Sequence, residues 1–126
     1  MKFTKAPFTA SQNVKIEGIL SRDLNFTLPL DHSDPNGQTI NVFAREIVSI
    51  NNAKNKDAPY AVYFQGGPGF PAPRPTGKSG FIGELLKKHR VILLDQRGTG
   101  HSTPALPQTL SKFPTPQAQA EYLTNF

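Results

Sequence analysis

Two short stretches hold most of the residues in this sequence that could do chemistry, and each follows an apolar run. The first is Gln65-Gly66-Gly67-Pro68-Gly69. Adjacent glycines let a backbone approach a ligand closely and expose N–H groups, while Pro68 stiffens the turn without adding a donor. That combination suits an oxyanion hole, where amides hold a developing negative charge. The same residues also make an ordinary tight turn with glycines at positive φ. The second stretch runs from Leu94 through Asp95, Gln96, Arg97, Gly98, Thr99, Gly100 and His101 to Ser102, at a strand end, where α/β proteins bind ligands. Asp95 and Arg97 read first as a structural ion pair or a backbone-bonding set, and second as catalytic groups.

No nucleophile accompanies them. A G-x-S-x-G elbow is approached by Gly77-Lys78-Ser79-Gly80-Phe81 and by Gly100-His101-Ser102-Thr103-Pro104, and each lacks the final glycine. Asp95, His101 and Ser102 do not make a local triad, because side chains so near in sequence diverge. Three imitations also fail on physical grounds. Gly67 to Ala72 fits a dinucleotide pattern, but Pro71, Pro73 and Pro75 prevent the helix that must receive the pyrophosphate. Gly77-Lys78-Ser79 ends like a phosphate loop whose first glycine would be Ala72. His32, Asp34, Asn36 and Gly37 imitate a calcium loop that would need Asp at its first position and Glu where Phe43 stands.

The elements that must position these stretches follow from periodicity. Leu24, Phe26, Leu28 and Leu30 alternate with Asn25, Thr27 and Pro29 as a half-buried strand, Asp31 to Gly37 supplies turn chemistry, and Thr39 to Ile50 is β-branched and aromatic, which predicts an antiparallel hairpin. Tyr60 to Phe64 and Val91 to Leu94 are continuous apolar runs, the pattern of strands covered on both faces. Between them Ser79 to His89 reads as a helix with Phe81, Ile82, Leu85 and Leu86 on one stripe, Ser79 as N-cap, and Lys87, Lys88 and His89 at the cation-favouring end. The order is strand, strand, strand, helix, strand: an α/β protein whose sheet begins with an antiparallel hairpin and continues as a βαβ unit. Residues 1–23 are expected as a leader and residues 66–80, with nine Gly and Pro, as a long loop. Thr115-Pro116 marks a last helix start with Ala118, Tyr122, Leu123 and Phe126 on its stripe. That helix reaches Phe126 without a C-cap, and the chain reads as cut there.

Composition narrows the function classes. At 126 residues the chain is one domain at most. Its net charge of +5 is spread along the sequence, so it reads as solubility and not as a nucleic-acid footprint. With no cysteine there is no disulfide framework, thiolate nucleophile or cysteine-bound zinc. No run approaches 18 apolar residues, and Met1 to Leu20 holds no apolar signal segment, so the expectation is a cytoplasmic protein that does not enter membranes.

Tyr63-Phe64-Gln65-Gly66-Gly67-Pro68-Gly69-Phe70, followed by Leu94 to Pro104, resembles the start of the prolyl aminopeptidases (proline iminopeptidases), serine peptidases of the α/β-hydrolase fold. Leu28-Pro29-Leu30-Asp31-His32 and Val42-Phe43-Ala44-Arg45-Glu46 are similar to the hairpin of that family, so the likeness runs from about Leu24 onward. The resemblance implies the N-terminal part of an α/β-hydrolase core, truncated before the nucleophile elbow. It also implies release of N-terminal proline from peptides by a Ser, Asp and His triad lying downstream, with no metal or cofactor. It maps the oxyanion-hole amides to Gly66 and Gly67, with Gln65, Pro68, Gly69, Asp95, Gln96, Arg97 and Gly98 shaping the loops. Gln65 stands where the family more commonly has His. The triad order places His32, His89 and His101 outside the catalytic base. The fragment alone is expected to be inactive. Two other functions fit: a different α/β-hydrolase (an esterase, an epoxide hydrolase or a broader aminopeptidase), or a non-catalytic module using Pro71 to Pro75 as a partner ligand. Arg74 in that loop reads as a solvated arginine before a substrate contact.

Overall fold

The computed structural model describes residues 6–67, 69–105 and 107–126. In chain order the elements are β1 (Phe8–Ala10), β2 (Val14–Ile16), β3 (Ile19–Pro29), β4 (Thr39–Ser49), a 3-10 turn at Ile50–Asn52, β5 (Tyr60–Phe64), α1 (Gly80–Leu86), β6 (Arg90–Leu94), α2 (Pro107–Leu110) and α3 (Pro116–Asn125). One six-stranded sheet runs in the order β1-β3-β4-β6-β5, with β2 also paired to β3. Every pairing is antiparallel except β5 with β6. This is the mixed α/β arrangement expected of an N-terminal α/β-hydrolase sheet, a hairpin leading into a βαβ unit.

The β3–β4 hairpin holds register from Ile19↔Ser49 to Pro29↔Thr39. Its turn closes through Asp31, whose Oδ1 accepts the Ser33 N–H at 2.9 Å and the Ser33 hydroxyl at 2.6 Å. The short side chain thus mimics a backbone turn. β3 begins at Ile19, five residues ahead of the alternation noted from Leu24, and residues 8–16, read as leader, contribute two short strands to it. The chain reverses from β2 into β3 at Glu17 and Gly18, with φ of 39° and 84°. A glutamate in the left-handed region is a weak turn signal, which hid this reversal in the sequence.

The core gathers Ile19, Ile47, Val91 and Leu93 from the sheet, Ile82 and Leu86 from α1, and Ala72 from the long loop. Two expectations need correction here. β5 is not covered on both faces: Tyr60, Val62 and Phe64 are 57%, 50% and 62% exposed. The crossover through α1 inserts β6 between β4 and β5, and among the described residues α1 shields β5 only on the side of Tyr63. In α1 the buried stripe is Ile82, Gly83 and Leu86, while Phe81 stays 54% exposed. Ser79 occupies the cap position without a side-chain hydrogen bond. The helix stops at Leu86, before His89, because Asn52 Nδ2 donates to the Leu86 and Lys87 carbonyls and closes its end.

Thr115 does cap α3, accepting the Ala118 N–H at 3.1 Å, with Pro116 in the first turn. Ala118, Tyr122 and Phe126 are half-buried on its inner side, but Leu123 points outward at 50% exposure. The short α2 was not indicated by the sequence. A charge in mid-strand is also accommodated: Glu46, buried in β4, accepts Arg22 Nη2 at 3.0 Å and Arg90 Nη1 at 3.5 Å.

Candidate active site

Parallel pairing fixes where the two chemical stretches meet. Phe64 and Leu94 are partners at the ends of β5 and β6, so both following loops leave the sheet side by side. Gln96 Nε2 reaches across to the Gln65 carbonyl at 3.4 Å, and the Gln65 side chain accepts the Tyr63 hydroxyl at 3.0 Å. Gly66 and Gly67 follow, both exposed, and among the described residues neither N–H donates a hydrogen bond. Gly67 adopts φ 137°, and a Cβ there would lie 2.9 Å from the Phe70 ring, so glycine is dictated by both backbone and space. Pro68 lies outside the described residues.

Asp95 is fully buried at the end of β6. Its Oδ1 accepts the Ala72 N–H at 2.8 Å, and its Oδ2 accepts the His101 N–H at 2.9 Å together with Nη2 of Arg74. One carboxylate thereby ties the proline-rich loop to the loop after β6. Arg74 also donates to the Ala72 carbonyl at 2.9 Å, and its guanidinium sits 5.1 Å from the centre of the Phe43 ring. Burial alone pushes the Asp95 carboxyl upward; the Arg74 guanidinium and the His101 and Ala72 N–H groups outweigh it and hold it below the ordinary carboxylate range.

The ion pair therefore differs from the one the sequence suggested. Asp95 does not pair with Arg97, because a turn from Gln96 to Thr99 swings Arg97 outward, where Nη1 donates to the Leu30 carbonyl at 3.2 Å. Arg74 is correspondingly not a solvated side chain, being only 27% exposed and fixed to Asp95. Its signal was its position as the lone cation among Pro71, Pro73 and Pro75, but nothing local names its partner 21 residues away.

The rest of the second loop is held as firmly. Ser102 Oγ donates to the Asp95 carbonyl at 2.7 Å and accepts the Phe43 N–H at 2.8 Å, so this buried hydroxyl is engaged with backbone on both sides. Thr103 Oγ1 accepts the Asn41 N–H at 2.8 Å, extending β4 beyond the end of β6. Gly98 exchanges backbone hydrogen bonds with Thr103 and Ala105. Gly100 has φ 52°, and a Cβ there would fall 2.1 Å from Asp95 Oδ2. Against this frame lies a cleft of about 290 Å³ bordered by Gly69, Arg97, Gly98, Thr99, Ala105 and Phe126. Among the described residues no group of three or more His, Cys, Asp or Glu side chains is placed to hold a metal, and no helix is long and apolar enough to cross a membrane. His101 packs edge-on against Phe43, and His89 lies against the Leu85 carbonyl, so the histidines do not converge.

No protein-family model matches the chain. Two curated proteins do. A proline iminopeptidase of Aeromonas sobria is 44% identical over 112 residues, which are 88% of this chain and 26% of that protein. A proline iminopeptidase, aneH, of Aspergillus aculeatus is 37% identical over 101 residues, 80% of this chain and 22% of that protein. The chain thus spans about a quarter of the length of the curated relatives it matches. Over most of its own length, this α/β chain is related by sequence to the proline iminopeptidases.

Proposed function

We propose that this chain carries the oxyanion-binding part of a serine aminopeptidase that releases N-terminal proline from peptides. The observation that carries the proposal is the exposed Gly66–Gly67 pair, whose amides donate no hydrogen bond among the described residues and sit where β5 leaves the sheet beside β6. The similarity to two proteins named proline iminopeptidase supports the substrate class. In this scheme a serine hydroxyl from outside these 126 residues attacks the prolyl carbonyl, its proton passing to a histidine. The Gly66 N–H, with Gly67 beside it, and the amide after the nucleophile stabilise the oxyanion. The peptide amine leaves with that proton, and water hydrolyses the prolyl ester. Asp95 and Arg74 hold the loop frame and do not touch substrate. By itself the chain lacks nucleophile and base and is inactive.

Two substitutions in a longer protein containing this chain test the assignment. A Cβ at Gly66 meets nothing within 4 Å, so Gly66→Ala retains amide and activity, whereas Gly66→Pro removes the donor. Loss of one oxyanion donor lowers kcat by roughly 10²–10³ in subtilisin, and a drop of that order is expected here. Unchanged kcat for Gly66→Pro on a prolyl arylamide refutes the role of Gly66, as turnover by the 126-residue chain alone refutes its inactivity.

A further inference from the structure

We propose that Gln96 is a positioning residue for the oxyanion hole, its side-chain amide fixing the peptide that carries the Gly66 N–H. This role rests on the oxyanion reading of Gly66 and goes beyond it by naming what aims the donor.

A glycine pair suits an oxyanion hole because it lets a reacting carbonyl come close, and the same freedom is its weakness. Glycine takes positive and negative φ with similar ease, so the Gln65–Gly66 peptide meets little local barrier to turning over. Just beyond it, Gly67 already stands at φ 137°. A donor contributes to catalysis when it is aimed before charge develops. The aim of the Gly66 amide must therefore come from contacts outside the glycines.

Gln96 supplies that contact, its Nε2 donating to the Gln65 carbonyl at 3.4 Å. In a trans peptide the C=O and N–H point in opposite directions, so a hold on the Gln65 oxygen also sets the direction of the Gly66 N–H. The grip starts from a fixed base. The Gln96 carbonyl accepts the Thr99 N–H at 3.0 Å and the Thr99 hydroxyl at 2.7 Å, and the preceding Asp95 N–H donates to the Phe43 carbonyl at 3.0 Å. Residue 65 is held by its side chain as well, since the Tyr63 hydroxyl donates to Gln65 Oε1 at 3.0 Å.

Asp95 and Gln96, consecutive at the end of β6, thus engage the two ends of one loop. Gln96 takes the carbonyl before Gly66, and Asp95 takes the Ala72 N–H at 2.8 Å. Burial divides their work. Asp95 is fully buried and holds the frame, whereas Gln96 is exposed and its one neutral bond adds little to stability. Loss of the Gln96 donor should therefore appear in turnover before it appears in melting.

The variants are made in an active longer protein containing this chain and assayed on a prolyl arylamide. Gln96→Met keeps the length of the side chain and removes the donor, while Gln96→Glu keeps its shape and sets a carboxylate oxygen against the carbonyl. Gln96→Met is expected to lower kcat about three- to tenfold, the worth of one neutral hydrogen bond, and Gln96→Glu at least as much. KM should change less than about twofold, because an interaction made in the transition state acts on kcat. Tm should stay within about 2 °C, as for an exposed side chain. In a Gly66→Pro background, where the amide is gone, either Gln96 substitution should cost less than about twofold more. Unchanged kcat for both Gln96 variants beside an impaired Gly66→Pro overturns the positioning role and leaves the oxyanion assignment standing. Unchanged kcat for Gly66→Pro removes that assignment and this role with it. A full additional loss in the Gly66→Pro background, a raised KM in place of a lowered kcat, or a Tm lowered by more than about 5 °C would each show Gln96 acting other than through the Gly66 amide, and would overturn the proposal.

Discussion

Replacing Asp95 by Asn probes the frame beneath the glycine loop. The variant keeps shape and can still accept the Ala72 N–H through Oδ1. Its Nδ2, however, now faces two donors, Nη2 of Arg74 and the His101 N–H, where Oδ2 had accepted both. Hydrogen bonds to charged groups contribute about 1.5–3 kcal/mol each, and removing one member of a buried pair costs about 3–5 kcal/mol. Arg74 keeps 27% of its side chain in water and recovers part of that loss by hydration, which puts the net cost at about 3 kcal/mol. With an unfolding entropy of about 2.1 cal/mol/K per residue, a 126-residue chain should lose about 11 °C in Tm by scanning calorimetry at neutral pH. The gap must also depend on pH. Because the folded carboxyl is held below its unfolded value of about 3.9, its stabilisation is fully present above that value and is lost as pH falls through the folded pKa. Wild type and Asp95→Asn should therefore converge as pH falls below about 4. A Tm change under about 3 °C, or a gap that stays constant into acid, would refute the assignment of Asp95 as an ionised anchor.

Two further substitutions test the packing that supports this frame. Gly100→Ala combines left-handed backbone with a Cβ driven into Asp95 Oδ2, and should cost on the order of 3 kcal/mol in a urea titration; a loss below about 1 kcal/mol would mean the loop relaxes freely. On α1, Leu86→Ala removes a side chain 1% exposed and should cost about 2–5 kcal/mol, while Phe81→Ala, more than half exposed, should cost clearly less. Equal losses at the two positions would restore the stripe first read from the sequence.

Local chemistry made several features legible before any tertiary structure. The Asp31-to-Gly37 turn, the β3–β4 pairing and the Thr115 cap each depend on groups a few residues apart or on a period of two, and these act within the chain itself. The two glycine-bearing loops were legible for the same reason, since each directly follows an apolar strand. Gln65, Gly66 and Gly67 sit beside Gln96 because parallel strands in register deliver their following loops together.

The partners of charged groups and the exposure of apolar ones were not so determined. Asp95 chose Arg74 over the nearby Arg97, because the turn after β6 carries Arg97 away while Gly100 leaves room for the carboxylate. Phe81 and Leu86 are both apolar on one helix, yet only the direction of the sheet beneath α1 decides which is buried. Likewise the sequence of β5 specifies an apolar strand, but which of its faces α1 covers was decided by the crossover that leads to β6. Hydrophobicity and short-range hydrogen bonding are properties a residue carries with it. Which of two guanidiniums meets a carboxylate, and which face of a strand meets water, depend on distances that exist only once the chain has closed on itself.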